Sequence, residues 1–270
     1  TGLAVGTPVI AGTIDAAAEA MSVGVSRPGE TMMMYGSTVF IIQVTEDRGR
    51  DPRLWYAPWL FPGRHALMSG LATSGTLTQW FRNRFARDLL SETAMGALAA
   101  EAAQSPPGSR GLIILPYFSG ERTPIHDPHA KGIIFGLDLT HERGDLFRAV
   151  LEGVAYGVRH VIDTYVESGH PPSILAAVGG GTKNAVWSQA VSDICGTDQL
   201  LRRETVGASL GNAFLAGLGV GDLVEADIDK WNPQAGVIAP CTEHAPLYAA
   251  GFRIYRELYE RTKDLMQAGA

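Results

Sequence analysis

Four short stretches set glycine beside small polar residues at the end of an apolar run: "AGTID" (11–15), "YGST" (35–38), "TSGT" (73–76) and "VGGGTKN" (178–184). Glycine at such a place lets the backbone come close to a ligand. Free N–H groups at a turn or helix start make a nest for an anion. In the second stretch Ser37 and Thr38 add hydroxyl donors next to Gly36, and the third carries Gly75. Each alone is compatible with an ordinary turn, but four in one chain point toward phosphate binding. Gly179, Gly180 and Gly181 precede Asn184 and would let a flat group lie against the backbone. Asn184 either caps the following helix or hydrogen-bonds a ligand. The glycines lack G-x-G-x-x-G spacing and no G-x-x-x-x-G-K-[ST] loop exists, which disfavours a dinucleotide site or a Walker-type loop.

Asp15 follows Gly12-Thr13 and precedes three alanines. Two roles fit that position: a helix cap, or a general base accepting a hydroxyl proton during phosphoryl transfer. His126 and His129 in "HDPH" invite a metal reading. Their Pro-containing loop supplies no frame for three or four fixed ligands, and no metal residues are assigned. His160 reads as an ordinary helix residue. Glu152 and Arg159 are expected on the polar side of the same helix, in surface or interdomain ion pairs.

The elements that must position these groups alternate between strand and helix, so an α/β architecture is expected. "TPVIAGTID" reads as a strand ending at Gly12, followed by an alanine-rich helix. "ETMMMYGSTVFIIQVTE" reads as two strands joined at 36–38, and "LWYAPWLFPGRHALMSG" as short strands with a turn at Pro62-Gly63. Helices are expected over 74–86, 91–104, 142–166, 184–195, 207–216 and 246–266. The third has the widest apolar stripe, from Leu146 and Phe147 to Ile162 and Tyr165. Strands are expected at "LIILPYF", "GIIFGLDLT", "SILAAVGGG" and "DQLLR".

With 270 residues, 46% hydrophobic and 19% charged, the chain has the length for a sizeable core. A formal net charge of −6 without any Lys/Arg block argues against nucleic acid as a partner. Every apolar run is cut well short of the ~18 residues a membrane span needs. Cys195 and Cys241 show no metal-ligand spacing, so reduced thiols and a cytoplasmic location are expected. The opening "TGLAVGTPVI" reads as loop running into strand with no initiator Met, as in a truncated or processed product.

The order of these motifs resembles the C-terminal domain of the FGGY carbohydrate kinases. The resemblance is carried by "GTPVIAGTIDAAAEAMSVG", "YGST", the block from "LPYFSGERTPIHDPHAKGIIFGL" to "HVID", "GGGTKNAVWSQAVSDICG" and "ETVGASLGNAFLAGLG". The "GERTP…DP.AKG…FGL" loop is similar to the xylulokinase branch. The resemblance implies an actin-like, ribonuclease-H-like ATPase fold over 1–270, with ATP bound in a cleft between two domains. It implies Mg²⁺ bridging the phosphates, and Asp15 as the base that deprotonates the sugar hydroxyl. It further implies that Gly36, Ser37 and Thr38 contact the β- and γ-phosphates, and that Gly75 contacts nucleotide. Gly179, Gly180, Gly181 and Asn184 would hold the adenosine. The implied substrate is a ketopentose such as xylulose, or a related polyol. Ala16 stands where family members often carry Gln or Asn, which leaves the sugar unassigned. The family's N-terminal sugar-binding domain is absent, so the chain alone is expected to be inactive and to self-associate through the face left bare. An actin-like ATP-binding regulatory or scaffold module is the alternative reading.

Overall fold

The computed structural model describes residues 2–205 and 207–268. Its nine strands are β1 (Glu30–Tyr35), β2 (Val39–Thr45), β3 (Trp55–Pro58), β4 (His65–Leu71), β5 (Ile113–Leu115), β6 (Ile133–Phe135), β7 (Ile174–Val178), β8 (Gln199–Arg202) and β9 (Gln234–Ile238). The helices are α1 (Asp15–Ser22), α2 (Gly75–Phe85), α3 (Ala94–Gln104), α4 (Arg143–Glu167), α5 (Ala185–Cys195), α6 (Gly207–Val220), α7 (Ile228–Trp231) and α8 (Ala245–Ala268). Seven strands form one mixed sheet in the order β3-β4-β2-β1-β7-β8-β9, with β1, β7 and β8 parallel. β5 and β6 make a separate antiparallel pair. Among the described residues no helix is long and apolar enough to cross a membrane.

The methionine run shows why β1 lacks the alternation of a half-exposed strand. Side chains in a strand point alternately to opposite faces, and a strand covered on both faces reads as continuously apolar. Met33 packs with Ile41, Leu175 and α4 on one side, while Met32 packs with Ile42, Val44, Met21 and Phe214 on the other. The result is three layers: α2–α5 and α8 above the sheet, α1, α6 and α7 below it. At the top of β1 the chain turns through 36–38 and returns as β2, paired Tyr35 to Val39.

Three expectations need correction. Residues 7–14 are irregular and largely exposed instead of forming a strand; a strand needs a neighbour to take its backbone hydrogen bonds, and among the described residues no strand pairs with this segment. Helix α4 does not carry a polar outer face: from Phe147 to Val158 it is buried on every side. Glu152 is therefore no surface group, being 1% exposed. Its carboxylate accepts from Arg148 Nε (2.8 Å), the Gly108 amide (3.0 Å), Ser109 Oγ (2.8 Å) and the Tyr248 hydroxyl (2.8 Å). Arg159 is half-buried and donates to the Ile194 carbonyl at 3.1 Å, which ties α4 to the end of α5. His160 is buried as well, and burial lowers its pKa to about 3, leaving the imidazole neutral.

Arg148 also donates to the Ser105 carbonyl at 2.9 Å, just past the last turn of α3. A cation there meets the negative end of the helix dipole, so the buried pair fixes α3 against α4. Removing one partner of a buried ion pair strands the other charge. Arg148→Met is expected to lower unfolding free energy by about 3–5 kcal/mol, read as a shift in the urea midpoint; an unchanged midpoint would show that the pair does not hold α3 in place.

Candidate nucleotide cleft

A cleft of about 570 Å³ opens where the β1–β2 turn, the start of α2, α3 and the β7–α5 connection meet. That lies within the ~300–1,000 Å³ usual for small-molecule sites. Tyr35 and Trp187 form its floor, with ring centroids 5.2 Å apart and planes at 89°. Burial pushes the Tyr35 hydroxyl well above its ordinary pKa, so it stays a donor and binds Gln199 Oε1 at 2.5 Å. Gln199 in turn donates to Ser188 and Ser192 of α5. The floor is thereby locked to the sheet on one side and to α5 on the other.

The hairpin turn rests on the first turn of α2. The Ser74 and Thr76 amides donate to the Ser37 carbonyl at 3.1 Å each, and the Gly75 amide donates to the Gly36 carbonyl at 3.0 Å. Thr76 Oγ1 adds a bond to Ser37 O at 2.9 Å. Gly75 is required here, since a Cβ would lie 2.7 Å from Gly36 O. These bonds occupy the helix-start donors of α2, so that terminus is not itself an anion site. The amides and hydroxyls of Ser37 and Thr38 take no part in any of these bonds. Ser37 is exposed at the cleft and also borders a smaller hollow of about 340 Å³ over Trp80 and Arg84.

Across the cleft, the β7–α5 connection brings in the glycines. Gly179 has φ of +92°, and a Cβ on it would lie 2.6 Å from Tyr35 O, so the chain crosses β1 closely there. A Cβ on Gly181 would meet Tyr35 and Trp187, whereas one on Gly180 meets nothing within 4 Å and would point into open space. Asn184 does cap α5: its Oδ1 accepts the Trp187 amide at 3.2 Å. Its side-chain NH₂ enters no hydrogen bond among the described residues, so capping leaves a donor at the cleft.

Of the nine residues singled out from sequence, Gly36, Ser37, Gly75, Gly180, Gly181 and Asn184 line this one cleft. Thr38 and Gly179 are their immediate neighbours in the chain and lie just outside the lining. Asp15 is apart from it, exposed at the first position of α1, with Oδ1 accepting the Ala16 amide at 2.8 Å. Helix α1 packs on the face of the sheet opposite α2–α5, and Asp15 does not line the cleft.

Sequence reading missed several lining residues. Lys183, the only charged side chain among them, gives the cleft a positive rim. It stands inside "GGGTKN", where an anion site would have signalled it. Thr78 and Gln79 face the cleft from α2, at three and four residues beyond Gly75. Met95, Gly96 and Ala99 of α3 close the opposite wall with a small apolar surface, suited to a flat ring. No motif marked α3. Trp187 carries a buried indole N–H with no partner among the described residues.

A sequence profile of the C-terminal domain of the FGGY family of carbohydrate kinases matches residues 32–220. The chain is 30% identical to the xylulose kinase of Bacillus subtilis (strain 168), covering 99% of this chain and 54% of that protein. It is 33% identical to the xylulose kinase of Escherichia coli (strain K12), covering 96% and 53%. The crystal structure of xylulose kinase from Rhodospirillum rubrum superposes with a TM-score of 0.91 at 34% identity, over 99% of this chain and 54% of that one. The chain spans about half the length of these relatives.

The open space at Gly180 makes a clean probe. Gly180→Leu should keep the fold, because its Cβ meets no protein atom, and should fill the cleft. ADP affinity, measured by calorimetry, is expected to fall at least tenfold (about 1.4 kcal/mol); a folded variant with unchanged affinity would place the nucleotide elsewhere.

Proposed function

Since the chain belongs to the FGGY family of carbohydrate kinases, we propose that it is the nucleotide-binding and base-bearing part of an ATP-dependent sugar kinase. Its α/β architecture is the actin-like ATPase fold of that family. The substrate class is a ketopentose such as xylulose, or a related polyol. The observation that carries the reading is the convergence of two separate glycine turns, at 36–37 and 180–181, on one cleft rimmed by a single lysine.

In this reading the adenosine lies between the α3 wall and Gly180-Gly181, with the Asn184 NH₂ as a hydrogen-bond donor to it. The unused amides and hydroxyls of Ser37 and Thr38 face the phosphates. Gly75 lets the hairpin turn sit at the height where those donors reach the cleft. Mg²⁺ supplies compensation of phosphate charge when bound. Among the described residues no group of three or more His, Cys, Asp or Glu forms a cation site. A second domain of the protein would supply the sugar pocket and the far side of the cleft, consistent with relatives about twice as long. Such an enzyme works in the cytoplasm.

Asp15 is the proposed general base. Its exposure leaves it open to a sugar hydroxyl presented from the second domain. Phosphoryl transfer depends mainly on positioning and charge compensation, so the base contributes by taking the hydroxyl proton as the oxygen attacks. Asp15→Asn is expected to lower sugar phosphorylation by about 10²–10⁴-fold with nucleotide affinity unchanged. A coupled ADP-release assay on the full protein with xylulose, ribulose and glycerol reads both the substrate and the loss. Undiminished turnover in the variant would remove Asp15 from the mechanism.

A further inference from the structure

The turn that supports the hairpin is itself held from outside, by a buried carboxyl on a separate loop. Strand β4 ends at Leu71, paired with Val39, the first residue of β2. Beyond it the Ala72 amide has left the sheet and has no strand to donate to. Glu121 Oε1 accepts it at 2.6 Å, and accepts the Arg122 amide at 2.7 Å. On either side the same loop grips the same segment: the Thr123 amide donates to Gly70 O at 3.2 Å, and Thr73 Oγ1 donates to Pro116 O. Two residues further on, Ser74, Gly75 and Thr76 hold Gly36 and Ser37. A continuous path thus runs from Glu121 by hydrogen bond to Ala72, along the chain to 74–76, and by hydrogen bond to Gly36 and Ser37.

We propose that Glu121 is a positioning residue of the nucleotide cleft, setting the height of the 72–76 turn and through it the Gly36–Thr38 donors. The proposal rests on the kinase reading for the identity of the ligand, but the mechanical claim stands on the hydrogen bonds alone.

Three features support an active clamp over a chance contact. Glu121 is 5% exposed, and no arginine or lysine bonds it. Its second oxygen, Oε2, has no hydrogen-bond partner among the described residues, and the same holds for the buried hydroxyls of Ser74 and Thr123 in the two segments it joins. Burial raises its pKa to about 8, so near neutral pH the group is largely a neutral acid accepting through one oxygen. A neutral acceptor of that shape is matched by glutamine. The loop that carries it is anchored at its far end, where the Glu121 amide donates to Asp127 O at 2.8 Å and the Tyr259 hydroxyl donates to Asp127 Oδ2 at 2.9 Å. The clamp is thereby fastened to α8 and does not drift with the turn.

The test compares Glu121→Gln, Glu121→Leu and Glu121→Asp in the full protein by amide hydrogen exchange and ADP titration. Glutamine keeps the acceptor and its reach, leucine removes the acceptor, and aspartate withdraws it by one methylene. The aspartate variant serves where leucine prevents folding. The expected result is wild-type behaviour for Gln. For Leu or Asp, exchange should rise at least tenfold at Ala72 and at Ser74–Thr76, whose amides are hydrogen-bonded, with α4 protection unchanged and ADP affinity down at least fivefold. Exchange at 72–76 that stays at wild-type rates in a folded Leu or Asp variant would overturn the proposal. So would faster exchange at 72–76 with undiminished ADP affinity, since the turn would then not govern the cleft. A Gln variant as impaired as Leu would overturn the neutral-acceptor account. Failure of the wild-type protein to bind ADP would sink the kinase reading separately, while the exchange data still decide whether Glu121 holds the turn.

Discussion

The β1–β2 hairpin sits directly on the start of α2, and the rest of the cleft is arranged around that contact. A helix N-terminus leaves amides without intrahelical partners, and those of an anion site normally face the ligand. Here the carbonyls of Gly36 and Ser37 take up the amides of Ser74, Gly75 and Thr76. The helix start becomes a pedestal, and the amides and hydroxyls of Ser37 and Thr38 stand free of it. The geometry tolerates no side chain at position 75, and it fixes Ser37 at the boundary between two hollows.

The pedestal and the opposite wall are held by different means. The wall, α3, is tied through its last carbonyls to Arg148, whose charge is balanced by Glu152 deep inside α4. Burying such a pair costs desolvation that only good geometry offsets. Four donors converge on the Glu152 carboxylate, which meets that condition. The floor depends on the Tyr35–Gln199 bond and the edge-on contact with Trp187. Each of these walls is thus referred back to either the sheet or α4.

The sheet also separates two kinds of chemistry. Residues that would hold a nucleotide approach from the α2–α5 side, and the proposed base starts a helix on the α1–α6 side. In the proposed reading, a second domain would bring the acceptor between the two.

Much of this was legible in the sequence, because local chemistry decides it. The turn at 36–38, the break after "VGGG" and the cap at Asn184 follow from what glycine, serine and asparagine allow the backbone to do. Helix bounds followed from apolar spacing, with α4 found at 143–167 against an expected 142–166. Other features depend on contacts between segments distant in the chain. Whether 7–14 forms a strand depends on a neighbour, and no local pattern reports one. Glu152 reads as a polar-side group of its helix, until α3, α8 and the 105–109 segment close over it and Arg148. The α3 wall carries no polar motif, so its part in the cleft comes from packing alone. The sequence by itself determined where glycine lets the backbone turn without a side chain. Only the tertiary structure decided that these turns face one space, because the convergence of 36–37, 75 and 180–184 is set by strand order and the parallel β1–β7 pairing, not by any local pattern.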